Sequence, residues 1–253
     1  MNHQKSYIIC ATPRSGTTLL CDLLADTGVA GRPDSFFRIQ SRRWWAQYLN
    51  VSVADWTDEY TFEKSYLSAV LQEGTAGTQI FGMRLMWRDF DSLSKRLSQL
   101  YPGLPSERAC FQAALGPTCF VHLSRKDKVA QAVSRIKAEQ SGLWHIDADG
   151  NERERVKPGQ APVYDAQILS EQMAECEKHD EAWLNWFVQH KIQPVRITYE
   201  ALSDNPQTTL AIVLSALGQD IEIAETVKPR TTKLANSESH EWANRFRIEE
   251  LSH

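Results

Sequence analysis

Five consecutive residues, Arg14, Ser15, Gly16, Thr17 and Thr18, bring one guanidinium, three hydroxyls and a glycine together in the stretch Ala11-Thr-Pro-Arg-Ser-Gly-Thr-Thr18. The chemistry of such a set is anion binding. Arg14 offers a planar fork of donors that matches phosphate or sulfate, the hydroxyls add further donors, and Gly16 lets the backbone approach a ligand closely. If a helix begins inside this stretch, its unpaired backbone N–H groups converge on the same spot. By spacing alone, a plain helix cap is the competing reading.

The flanking sequence supplies the elements such a loop needs. Tyr7 to Ala11 is an uninterrupted apolar run of strand formers, as a strand covered on both faces requires. After the loop, Leu19, Leu20, Leu23 and Leu24 recur at helical spacing and Gly28 closes the helix. Further strands are predicted at Gln79–Leu85, Cys119–Leu123 and Pro194–Tyr199, separated by helical or irregular sequence. The alternation predicts an α/β fold, a P-loop-like parallel sheet flanked by helices. With 253 residues and 42% hydrophobic content, one domain over 1–253 is expected. Residues 165–189 read as a long amphipathic helix that packs Ile168, Leu169, Met173, Trp183, Leu184 and Trp186 inward. Residues 147–162, dense in Gly, Pro and charge, read as a mobile loop or part of a lid.

Composition narrows the function classes. A net charge of −4 provides no global field for nucleic acid or an anionic membrane, so an anion site must be local. No run approaches the length of a membrane helix, and the apolar run after residue 6 is too short for a secretion signal. The five cysteines are odd in number and lack Cys-x-x-Cys spacing, which argues against a disulfide framework or a zinc site. A cytoplasmic chain with reduced thiols is expected, and a homodimer is left open. Compared with the triphosphatase loop Gly-x-x-x-x-Gly-Lys-[Ser/Thr], the first glycine is absent and Thr17 replaces the lysine, which disfavours metal-assisted triphosphate chemistry.

At these residues the chain resembles the sulfotransferases, whose 5′-phosphosulfate loop reads Pro-[Lys/Arg]-Ser-Gly-Thr-[Thr/Ser]. The resemblance implies 3′-phosphoadenosine 5′-phosphosulfate as donor, no metal, and binding by Pro13, Arg14, Ser15, Gly16, Thr17 and Thr18. A second matching piece is His122-Leu-Ser-Arg125, continued to Ser134; in the family the corresponding Arg and Ser hold the 3′-phosphate. On residue type alone, Arg125 reads equally as a surface ion pair and Ser134 as a tolerated helix residue. The third piece, Ile197-Thr-Tyr-Glu-Ala-Leu202 leading to Pro206, is assigned to scaffold. The basic Lys228-Pro-Arg-Thr-Thr-Lys233 matches the family's cofactor-covering segment, with Lys233 the preferred phosphate contact and a solvated loop the alternative.

The likeness tightens toward the bacterial trehalose 2-sulfotransferase family through Thr27-Gly-Val-Ala-Gly31, Phe36-Phe37, Gly82-x-Arg-Leu-Met-Trp87 and Glu241-Trp-x-x-Arg-Phe246. A sugar or glycolipid acceptor is implied. One departure bears on chemistry. The family carries a Glu, proposed as the base, directly before the Phe-Phe pair, whereas this chain has Ser35; Asp34 is the nearest carboxylate able to take a proton. His145 and Asp89 are substitutes that folding could bring in. Arg84, read as just past a strand and matching a family Lys, is expected to hold sulfuryl oxygens or the acceptor, with a surface Arg the alternative reading. Trp44, Trp45, Trp56 and Trp87 are candidates for stacking on a sugar, although most tryptophans are core. Two other readings stand beside this one, a P-loop small-molecule kinase and a non-catalytic nucleotide- or glycan-binding protein.

Overall fold

A computed structural model describes residues 5–147, 149–230 and 237–251. In chain order the elements are β1 (Lys5–Ala11), α1 (Thr17–Asp26), α2 (Arg42–Tyr48), α3 (Glu59–Thr75), β2 (Ile80–Met86), α4 (Trp87–Leu100), α5 (Glu107–Leu115), β3 (Thr118–Ser124), α6 (Lys128–Ser141), β4 (Leu143–Ile146), β5 (Glu152–Arg155), α7 (Ala166–Gln189), β6 (Val195–Thr198), α8 (Tyr199–Asp204), α9 (Pro206–Leu217), α10 (Ile223–Thr226) and α11 (Ser237–Glu250). Four strands form a parallel sheet in the order β2-β1-β3-β6, as the strand–helix alternation requires.

β1 lies in the middle of that sheet and is buried on both faces. Ile8 and Cys10 join a cluster with Phe81, Phe90, Phe111 and Trp183, while Tyr7, Ile9 and Ala11 join the opposite cluster of Leu20, Leu24, Val121 and Leu214. The period-2 alternation of a strand thus feeds two cores at once. All the C-terminal strand ends open on one edge, where parallel α/β sheets place their ligand sites.

Several sequence expectations need correction in detail. The segment 147–162 is not wholly irregular, since β5 pairs antiparallel with β4 and sets His145 opposite Glu154. Arg84 lies inside β2, paired in register with Ile9, rather than just past a strand. In α7, capped by Asp165, Leu169, Trp183 and Trp186 are buried but Ile168 is exposed, and Cys176 and Phe187 take the remaining inward positions.

Candidate active site

The loop between β1 and α1 is left-handed at Arg14 (φ 64°) and at Gly16 (φ 88°). Such turns gather backbone N–H groups on one concave side, and Thr17 and Thr18, the first residues of α1, add N–H groups without helical partners. Gly16 has a steric reason as well, because a Cβ there would lie 2.8 Å from Tyr199 Cδ2. The loop is held from behind. Gln131 Nε2 donates to Thr12 Oγ1 at 2.8 Å and to Pro13 O at 2.7 Å, Ser15 Oγ donates to Thr12 O at 2.8 Å, and Trp183 Nε1 donates to Ala11 O at 3.1 Å. Asp180, ion-paired with Lys128, accepts from Thr12 Oγ1 at 3.4 Å.

Two arginines converge on this loop from different strands. Arg14 donates through Nε to Ser134 Oγ at 3.0 Å and through Nη1 to Trp144 O at 2.7 Å. Arg125, at the tip of β3, donates to Arg14 O at 3.2 Å, and its guanidinium lies 4.4 Å from the centroid of the Tyr199 ring. Among the described residues neither has a carboxylate within ion-pair distance, and the buried Nε of Arg125 has no hydrogen-bond partner. Burial and then Arg125 bring the Arg14 guanidinium down to about 10, so it remains cationic at neutral pH. Two partly desolvated cations without a counter-ion among the described residues, beside a concave run of N–H groups, are an arrangement suited to an anion.

A second group of side chains adjoins the first. Arg84 donates to Ser35 Oγ at 2.6 Å and to Thr18 Oγ1 at 2.9 Å, with Asp34 Oδ1 3.4 Å from Nη2. A lone parallel bridge to Met83 lays Asp34 along β2, and its carboxylate also accepts from Ser35 N at 2.6 Å. The β4–β5 hairpin closes the group, with His145 Nε2 3.1 Å from Thr18 Oγ1 and 3.5 Å from Glu154 Oε2. Thr18 Oγ1 accepts from Arg84 and keeps a second lone pair and its proton, so the direction of its bond with His145 follows the imidazole tautomer. Burial, helped by Arg14, Arg84 and Arg153, lowers His145 to about 3 and keeps the ring neutral.

Arg14, Arg125 and Ser134 therefore meet around one loop, and Arg84 joins that loop to Asp34 and Ser35. Lys233 lies outside the described residues, and Arg230 of the same basic segment pairs with Asp26. Asp89 is buried and accepts from Ile39 N at 3.2 Å. Trp44 and Trp56 are exposed, whereas Trp45 is buried against Phe36 and Trp87 packs on Phe90 and Trp183. In the Tyr-Glu-x-Leu segment, Tyr199 lies beneath Arg125 and Glu200 accepts from Lys126 N at 3.0 Å, which supports the tip of β3. Sequence reasoning missed Gln131, Asp180 and Trp144; Gln131 had a signal, lying one turn before Ser134 on the same face of α6.

The chain belongs to the Stf0 sulphotransferase family, whose profile matches residues 6–249. It is 30% identical to a trehalose 2-sulfotransferase of Mycobacterium tuberculosis, covering 97% of this chain and 95% of that protein. It is 29% identical to the trehalose 2-sulfotransferase of Mycolicibacterium smegmatis, over 97% and 96% respectively. A sulfotransferase domain from the Synechococcus PCC 7002 olefin synthase is a looser structural likeness, with a TM-score of 0.45 and 16% identity over 97% of this chain and 88% of that one. Among the described residues no helix is long and apolar enough to cross a membrane.

Proposed function

We propose that this chain transfers a sulfuryl group from 3′-phosphoadenosine 5′-phosphosulfate to a hydroxyl of a carbohydrate or glycolipid acceptor, in the cytoplasm. The observation that carries the reading is the convergence of Arg14 and Arg125, free of carboxylate partners among the described residues, on the loop of residues 13–18. Arg125 and Ser134 take the 3′-phosphate. The N–H groups and hydroxyls of residues 15–18, with Arg14, take the 5′-phosphosulfate.

Reaction is an in-line displacement at sulfur. The acceptor oxygen forms a bond to sulfur while the bond from sulfur to the bridging phosphate oxygen breaks, and that oxygen keeps the electron pair. Arg14 and the loop N–H groups meet the charge that grows there. Arg84 orients sulfuryl oxygens or the acceptor, and Asp34 takes the acceptor's proton, standing in for the carboxylate that Ser35 removes. The guanidinium groups supply the positive charge in this scheme, which has no role for a metal.

Thermal shift and calorimetry with 3′-phosphoadenosine 5′-phosphate against ATP with Mg²⁺, followed by an assay of sulfate transfer, test the reading. Tighter binding of the 3′-phosphorylated nucleotide and turnover insensitive to a chelator are expected. Preference for ATP with Mg²⁺ would favour a kinase instead.

A further inference from the structure

Beyond the donor loop, two more arginines stand on the same edge of the sheet. The turn after Asp34 and Ser35 closes with Arg38 N donating to Ser35 O at 3.2 Å, and Ile39 N donates to Asp89 Oδ1 at 3.2 Å. The second bond seats the turn carrying Arg38 on the first turn of α4, which carries Arg88. Arg88 also comes four residues after Arg84, and Arg84 holds Ser35 at 2.6 Å. Arg38 therefore lies in the turn that follows Asp34 and Ser35, and Arg88 on the helical turn against which that turn is seated.

Each keeps a buried donor without a partner among the described residues. Among the described residues, no side-chain hydrogen bond is made by Arg38 or Arg88, and the Nε of each is buried without a partner. The nearest carboxylate of Arg88, Asp89, is 3.9 Å away, beyond hydrogen-bond reach. Glu175, the other carboxylate that acts on Arg88, is already engaged by Arg135 at 3.1 Å and His179 at 3.8 Å. Burial lowers the Arg88 guanidinium from its ordinary value, and the repulsion of Arg38 and Arg135 opposes the attraction of Asp89 and Glu175. Arg42 and Arg96 also keep a buried unpartnered nitrogen each, but both pair with the carboxylate of Glu63. Buried donors are as a rule satisfied, so a pair left open beside the turn that follows Asp34 and Ser35 calls for a ligand.

We propose that Arg38 and Arg88 form an anion subsite for the acceptor, so that the hydroxyl sulfated here belongs to an anionic sugar bearing a phosphate or carboxylate group. The inference rests on the acceptor being a carbohydrate and adds its charge. A guanidinium pair fits either anion through forked donors, whereas a neutral disaccharide leaves both arginines unmatched. In a chain of net charge −4, a pair of this kind draws an anion only to its own position.

The test uses matched acceptors, trehalose against trehalose 6-phosphate and glucose against glucuronate, with the wild type, Arg38→Gln, Arg88→Gln and Arg88→Lys. Both transfer and calorimetric binding to protein loaded with 3′-phosphoadenosine 5′-phosphate are read. Wild type should favour at least one anionic member by roughly ten- to hundred-fold, the worth of a charge-assisted contact. Arg38→Gln and Arg88→Gln should each remove most of that preference, Arg88→Lys should keep part of it, and affinity for the nucleotide should hold within about two-fold in each. Equal or better binding of the neutral members would overturn the subsite, as would a Gln variant that weakens neutral and anionic sugars alike. Selective binding of the anionic sugar without any sulfate transfer would uphold the subsite and reject the transferase reading, so the two failures are distinct.

Discussion

Arg14 Nε lies 3.0 Å from Ser134 Oγ, a contact that joins the donor loop to a helix 120 residues further along the chain. The groups assigned to the 5′ and 3′ phosphates are thus neighbours before any nucleotide arrives. Removing either member of the 3′ pair should be selective. Arg125→Ala should weaken 3′-phosphoadenosine 5′-phosphate by roughly ten- to hundred-fold, and Ser134→Ala by less, while adenosine 5′-phosphosulfate changes little. Calorimetry with the two nucleotides checks this, and equal losses would place Arg125 elsewhere.

Arg14 itself is assigned to charge that develops as the sulfur–oxygen bond breaks. Arg14→Ala should therefore lower kcat more than it raises the KM of the donor. Steady-state kinetics separate the two, and a change confined to KM would make Arg14 a binding residue only.

Gly16 is fixed by backbone and by space. Gly16→Ala puts an L side chain at φ 88° and a Cβ 2.8 Å from the Tyr199 ring that lies under Arg125. The left-handed conformation alone costs about 1–2 kcal/mol, which corresponds to a melting temperature lower by about 2–8 °C. Nucleotide affinity should fall with it, and a variant of wild-type melting and affinity would remove the steric argument.

His145 makes stability depend on pH. Its folded value of about 3 lies below the usual histidine value, so its contribution is complete above pH ~6.5 and is lost as pH falls toward 3. At pH 5 the unfolded chain gains about 2 kcal/mol from protonating this one residue. His145→Asn should melt with a smaller drop between pH 7 and pH 5 than wild type; His122 and His179, lowered by burial in the same direction, are common to both proteins. Identical drops would show that His145 titrates freely in the fold.

The parts of the site that were legible in sequence are those carried by contiguous residues. The loop of residues 13–18 announces itself because its strand, its glycine and its helix are neighbours in the chain, and the parallel sheet is implied by the strand–helix alternation. Gln131, Asp180 and Trp144 were hidden, since each reaches the loop only through the packing of α6, α7 and the hairpin. The hairpin itself was obscured because β4 and β5 are four residues each and β5 is wholly charged, Glu-Arg-Glu-Arg, with no apolar alternation to mark it as a strand. Trp45 and Trp87 could not be told from sugar platforms by type; packing buries Trp45 and leaves Trp87 half-buried against the core.

The proton acceptor bears most directly on the central claim that this chain carries out sulfuryl transfer with Asp34 in place of the missing glutamate. The decisive measurement is turnover of 3′-phosphoadenosine 5′-phosphosulfate with a carbohydrate panel, monitored as nucleotide released and as SO₃ gained by the acceptor, in wild type, Asp34→Asn and Ser35→Glu. The account predicts transfer by wild type, a loss of about 10²- to 10⁴-fold in Asp34→Asn with nucleotide affinity intact, and activity in Ser35→Glu equal to or above wild type. No transfer by wild type, together with transfer created by Ser35→Glu, would contradict it and make the native chain a binding protein.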